Sequence, residues 1–202
     1  MEPNDREIIA RVQRGDRNAY VILFERYYGR VERFARSRLN NSETARDIAS
    51  ETFLRAYRNV DRFRLEEEIT YLGYLLMICH RLIRTEHSRQ PAVAVKSLDD
   101  EDDEIDRIVD DGPSPMSALL DAEQIGKVRE ALADLPEDDR EIIFLAYERD
   151  LSRRDIMHIM NKPSISAVTS HLYRAMQRLK TKIVRHDYFA SMHRPAERDR
   201  DE

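Results

Sequence analysis

The stretch Ser152–Lys180, SRRDIMHIMNKPSISAVTSHLYRAMQRLK, decides how this chain is read. It opens on Ser-x-x-Asp, a capping box with Asp in place of the usual Glu, which predicts a helix start there. Ile156, Ile159 and Met160 share one face of a short helix. Asn161-Lys162-Pro163-Ser164 ends it, because the proline ring disfavours helical backbone at Lys162. A second helix follows, with Val168, Leu172, Ala175, Leu179 and Ile183 as its inward stripe. Ser166, Thr169, Ser170, His171, Tyr173, Arg174, Gln177 and Arg178 are left nearer solvent. A short helix, a tight turn and a longer helix in this order predict a helix-turn-helix.

Charge gives this motif a direction. Residues 152–186 hold eight Arg or Lys and a single acid, Asp155, in a protein whose net charge is −5. A basic end piece on an acidic chain suits phosphate binding. Small hydroxyl residues at the front of the second helix let it enter a major groove and reach base edges, and its positive dipole end favours phosphate. Arginines further along meet the backbone and hold the register. The candidate duplex contacts are Arg153, Arg154, Ser164, Ser166, Thr169, Ser170, His171, Arg174 and Arg178. An isolated basic helix is more often a plain solvated face. Here the capping box, the proline turn, the helix pair and the local charge coincide, and together they favour DNA.

Upstream, residues 119–135 carry Leu119, Leu120, Ile125, Val128, Ala131 and Leu132 as one stripe. Pro136 is placed for the first turn of the next helix, with Ile142, Ile143, Leu145 and Ala146 following. Residues 91–118 have no period. They pack nine acids against two bases, with Gly112, Pro113 and Pro115, and read as an extended acidic linker. Residues 5–90 are helical again. Ile8, Ile9 and Val12 lead to a stop at Gly15, and Asp16 is a candidate cap for the next helix. That helix runs through Leu23, Tyr27, Val31 and Phe34 to a break at Asn41-Ser42. A third covers 44–60, and a fourth about 68–88. The tail, 187–202, is expected to fray.

The whole is an all-α chain of two small helical domains with thin cores, 5–90 and 119–186, joined by an acidic linker. With 202 residues, 41% hydrophobic and 36% charged, and only 5 Gly, strand patterns are missing. No apolar run nears the roughly 18 residues of a membrane span. The start, MEPNDREIIARVQRGD, is too polar for a secretion signal. A single cysteine, Cys79, cannot close an internal disulfide, and the expected compartment is the reducing cytoplasm. Enzyme signals are missing too. There is no Gly-rich phosphate loop, the six histidines show no metal spacing, and neither metal nor cofactor is expected. Cys79 is expected in the core.

These residues resemble bacterial sigma factors of the extracytoplasmic-function (ECF) class, in the sigma-70 family. LPEDDREIIFLAYERDLSRRDIMHIM, followed by SAVTSHLYRA, is similar to the family's C-terminal region 4-like helix-turn-helix. TARDIASETFLRAYRNVDRF at 44–63 is similar to its most recognisable block, within an N-terminal region 2-like bundle. The resemblance implies that the C-terminal domain reads the minus-35 promoter element. It implies that the N-terminal domain binds core RNA polymerase, through a face with Asp47, Glu51 and Arg55, and opens promoter DNA at minus-10. Opening needs flat rings for unstacked bases and cations for phosphates. Tyr71 and Tyr74 are the candidate rings, and Arg62, Arg64, Arg81 and Arg84 the candidate cations. An anti-sigma factor is an expected further partner, with no membrane contact of the chain's own.

Some residues depart from the family pattern. The chain has no Trp, and Tyr74 stands where one is usual. His80-Arg81 replaces the family's Arg-Asn step. Glu66, Glu67 and Glu68 make the preceding loop acidic, and the helix-turn-helix turn is one residue longer. Two rival readings use the same residues. One is a sigma-like decoy or adaptor that binds an anti-sigma factor or polymerase without initiating. The other is a stand-alone helix-turn-helix regulator.

Overall fold

The computed structural model describes residues 3–39, 41–64, 69–89, 122–148 and 150–192. The acidic linker, the Glu66–Glu68 loop and the end of the tail lie outside the described residues. Among those described, there are eight α-helices and no strand. They are α1 (Asp5–Gln13), α2 (Tyr20–Arg36), α3 (Ser42–Arg58), α4 (Tyr71–Arg89), α5 (Ala122–Ala133), α6 (Glu137–Tyr147), α7 (Arg153–Ile159) and α8 (Ile165–Met192). Single 3₁₀ turns at Arg17–Ala19 and Val60–Arg62 lead into α2 and follow α3.

Local chemistry sets these boundaries. Asn4 caps α1 through a reciprocal capping box with Glu7, and Asn41 caps α3 by accepting from the Glu43 and Thr44 amides. The chain turns at Gly15, whose φ of +101° is left-handed. Asp16 does not cap, contrary to expectation. No side-chain cap bond forms at α2, and the Asp16 carboxylate instead takes Arg11 at 2.8 Å. The pairing with Arg11, five residues upstream, holds the carboxyl below its ordinary range. α8 also runs beyond the expected end of its domain at 186, as far as Met192.

Helices α2, α3 and α4 pack side by side, with α1 across α2. In the second half α5, α6 and α7 all lean on α8. The seven-residue α7 also packs against α4, so one continuous apolar cluster runs through both halves. Sequence patterning had pointed to two separate thin cores. The difference arises because α7 buries Ile156 and Ile159 together with the carboxylate of Asp155.

Polar contacts centred on Asp155, Arg38 and His80 help fix this junction. Asp155 Oδ2 accepts from the Ser152 amide at 2.8 Å and so closes the α7 capping box. Its Oδ1 accepts from the Thr70 amide at 2.7 Å and the Thr70 hydroxyl at 3.1 Å, at the start of α4. Gly73 lies directly beneath it, without room for a side chain. Further along, Arg38 reaches Glu137 at 2.7 Å and the fully buried Glu141 at 3.2 Å. His80 Nδ1 donates to the Ile159 carbonyl, and its Nε2 stands 3.7 Å from Glu141. Burial pushes the Glu141 carboxyl above its ordinary range, against the pull of Arg38 and His80. The departure from the family pattern at His80 therefore has a structural use, since its ring bridges the two halves.

Replacing Gly73 with Ala would set a Cβ 2.3 Å from Asp155 Oδ1. The expected outcome for Gly73→Ala is that α7 leaves α4, although α4 itself gains about 1 kcal/mol of helix propensity. Hydrogen exchange at the Thr70 amide checks it: that amide should lose protection while mid-α4 amides do not. Unchanged protection at Thr70 would show that Asp155 does not hold the halves together.

Candidate nucleic-acid interface

The helix-turn-helix is built as its sequence requires. Ser152 Oγ accepts from the Asp155 amide at 3.1 Å, so the capping box is reciprocal. The turn after α7 passes through Asn161, whose φ of 51° is left-handed, a conformation Asn tolerates better than most residues. The α8 stripe of Val168, Ala175 and Leu179 is buried, with Leu172 and Ile183 packed against the core.

Among the expected duplex contacts, Arg153, Arg154, Ser164, Ser166, Thr169, Ser170, Arg174 and Arg178 are exposed. Two of their hydroxyls are already engaged. Ser164 Oγ accepts from the Ala167 amide at 3.1 Å, and the Thr169 hydroxyl donates to the Ile165 carbonyl at 3.1 Å. His171 needs correction. Its side chain is only 11% exposed, and its Nε2 lies 2.9 Å from Asp139 on α6, so it is a packing residue. Arg178 Nη1 binds the other Asp139 oxygen, so this arginine is half committed to the fold.

Asp139 itself was not singled out from the sequence, where EDDR reads as an ordinary acidic first turn. It is nearly fully buried and holds the middle of α8 to the start of α6. Burial pushes its carboxyl up, but the hydrogen bonds from Arg178 and His171 outweigh that and hold it below the usual carboxylate range.

In the first half, Phe63, Tyr71 and Tyr74 form one aromatic cluster, with Phe63–Tyr74 centroids 4.4 Å apart and Phe63–Tyr71 5.5 Å. Tyr71 is 1% exposed, its hydroxyl donates to Tyr20 at 3.2 Å, and burial pushes its pKa far above the normal phenol range. It is a core residue and offers no face to a base. Tyr74 is half-buried on the outer side of the cluster. Arg62, Arg64, Arg81 and Arg84 are exposed. Arg84, however, lines the cleft between the halves beside Glu137 and Asp138, away from the aromatic cluster's ring contacts. On α3, Asp47 and Arg55 are exposed, and Arg55 pairs with Glu51 at 2.7 Å one turn earlier. Leu54, exposed between them, adds an apolar contact to that face.

Cys79 is fully buried, and burial pushes its thiol up to about 12. Such a thiol is unreactive at neutral pH. Among the described residues, no cluster of His, Cys, Asp or Glu could hold a metal ion, and no helix is long and apolar enough to cross a membrane.

Residues 23–91 match the family model of Sigma-70 region 2, and residues 125–179 match that of Sigma-70, region 4. The chain belongs to the sigma-70 family. Its relatives include the ECF RNA polymerase sigma-E factor of Haemophilus influenzae, 27% identical, with 89% of this chain and 95% of that protein covered. They also include the RNA polymerase sigma-H factor of Pseudomonas aeruginosa, 29% identical, with 87% and 92% covered. The ECF RNA polymerase sigma factor SigW of Bacillus subtilis is 25% identical over 91% of this chain and 98% of its own. Among solved structures, the fold is similar to CnrH in complex with the cytosolic domain of CnrY, with TM-score 0.60, 20% identity, and 88% and 95% covered. It is also similar to the sigma factor RpoE in complex with the anti-sigma factor NepR from Bartonella quintana, with TM-score 0.60, 20% identity, and 81% and 96% covered. In sigma-70 terms, the aromatic cluster and the α3 face fall within the region 2 match, and Asp139 and the helix-turn-helix within the region 4 match.

Asp139→Asn tests the grip on α8. Because the folded carboxyl is held low, its contribution is present above the ordinary Asp value and is lost as pH falls through the lowered one. Urea unfolding should show the variant less stable by about 2 kcal/mol at pH 7, with the gap closing as the pH falls below the ordinary Asp range and through the lowered value. An equal gap at both pH values would mean that the charge is not what matters.

Proposed function

We propose that this protein is a sigma factor that binds core RNA polymerase and directs promoter-specific initiation of transcription. The observation that carries this reading is the pair of sigma-70 matches, region 2 before region 4, on one chain whose helix-turn-helix leaves Arg153, Arg154 and Arg174 exposed. In this reading α8 lies in the major groove of the minus-35 element, and the arginines at the start of α7 and on α8 bind phosphates.

The α3 face with Asp47, Glu51 and Arg55 docks on the polymerase. Tyr74 stacks on an unpaired base at minus-10, with Arg62, Arg64 and Arg81 on the phosphates of the opened strand. Stacking of that kind is worth about 1–3 kcal/mol per base. The protein supplies positioning and strand opening, while nucleotide addition belongs to the polymerase. An anti-sigma factor is a partner suggested by the relative solved with NepR.

Transcription in vitro with purified core polymerase and a genomic promoter pool tests this. Initiation at defined, asymmetric sites only when the chain is added is the expected result. The double variant Arg154→Glu with Arg174→Glu should lower it at least about tenfold and reduce the salt slope of promoter binding by about 2. Polymerase binding without initiation would mark a decoy, and DNA binding without polymerase contact a stand-alone regulator.

A further inference from the structure

The outward side of α8 divides into two rows of different chemistry. Ser166, Ser170, Arg174 and Gln177 are exposed, and none of their side chains is hydrogen-bonded within the described residues. Beside them, Ile165, Thr169 and Tyr173 follow one another at intervals of four residues. Ile165 is 41% exposed and Tyr173 66%, both large apolar surfaces left in water. Thr169 stands between them with its hydroxyl proton already given to the Ile165 carbonyl at 3.1 Å. With its proton spent, Thr169 can offer a base edge only an acceptor lone pair and its γ-methyl group. The sequence suggests three equivalent hydroxyls at the front of this helix; the hydrogen bonds separate Ser166 and Ser170, which can donate, from Thr169, whose proton is taken.

We infer that Ile165, Thr169 and Tyr173 form an apolar edge of the recognition helix that reads thymine through its 5-methyl group. In the major groove thymine is the one base whose edge carries an apolar group, so an apolar row on a groove-facing helix has a single natural counterpart. The surroundings fit duplex DNA rather than a protein partner. Arg174 and Lys180 flank the row, both exposed, and no acid occurs from Ile165 to His186. Four residues span about 6 Å along the helix, so the row covers one or two adjacent base pairs. Thr169, at its centre, makes the methyl contact, and Ile165 and Tyr173 shield it from water on either side. The inference rests on the reading of α8 as the minus-35 helix and adds to it which base that row selects.

The test begins with holoenzyme, core polymerase plus the full chain, selecting its upstream element from random-sequence duplexes. Each thymine of the selected element is then replaced singly by deoxyuridine, which removes only the methyl. Binding should weaken about fourfold at one or two neighbouring positions, the worth of burying one methyl group. Thr169→Val, which keeps the methyl and loses the hydroxyl, should preserve that ratio. Thr169→Ser, which keeps the hydroxyl and loses the methyl, should bring it to one. Equal binding of every deoxyuridine duplex by the wild-type holoenzyme, with the selected sequence still preferred over scrambled DNA, would overturn the inference and leave the sigma-factor reading standing. An unchanged ratio in Thr169→Ser would overturn the assignment to Thr169. If no sequence is selected at all, the reading of α8 as a DNA-reading helix fails and takes this inference with it.

Discussion

A helix of seven residues is too short to hold itself together in water. α7 exists because it is pressed between α4 and α8 and capped at its start, and much of the architecture follows from that dependence. Its outer arginines can face DNA only if its inner residues, Ile156 and Ile159, are buried. Their burial against two long helices at once joins what would otherwise be two small bundles. In the second bundle one long helix, α8 of 28 residues, supports the others, while in the first α2, α3 and α4 support one another. The shorter helices of the second bundle add apolar stripes to α8.

The presentation of α8 depends on a second buried group. Asp139 takes both His171 and Arg178, so one carboxylate reinforces the orientation that the buried Val168, Ala175 and Leu179 stripe gives the recognition helix. A buried carboxylate is costly unless it is fully paired. Here both oxygens have nitrogen partners, and the pairing decides which residues of α8 turn outward. His171 turns in with them, while Ser170 and Arg174 stay out. Specificity on the outer face is in this sense set from the inner one.

Much of this was legible in the sequence. The Ser152–Asp155 box, the proline turn and the Val168–Leu179 stripe are local patterns, governed by residues within a few positions of one another, and they stand where they were expected. Tyr71 and Tyr74 show where that reading stops. Three residues apart on one helix, they share a side and an aromatic character. Only the partners supplied by α2 and the 60–63 turn bury one and leave the other half-open. Asp16 and Asp139 illustrate the same limit with charge. A carboxylate at a helix start suggests a cap or a plain first-turn acid, but its role depends on its partners, a neighbouring arginine for Asp16 and a distant histidine and arginine for Asp139. His80 is a further case, since its departure from the family pattern acquires a meaning only once Ile159 and Glu141 are seen opposite it.

The two oxygens of Asp155 divide their work, one toward its own helix and one toward α4. The start of α4 has a provision of its own, because the Thr70 hydroxyl already accepts from the Gly73 amide at 3.0 Å. If the two bundles drew apart at this point, Oδ2 would still close α7 and Thr70 would still close α4. The caps would keep their partners, while α7 would lose the packing against α4 and keep that against α8. Separation at this point would therefore cost the Oδ1 bonds to Thr70 and the shared apolar packing, but no backbone amide bond at either helix start beyond that of Thr70.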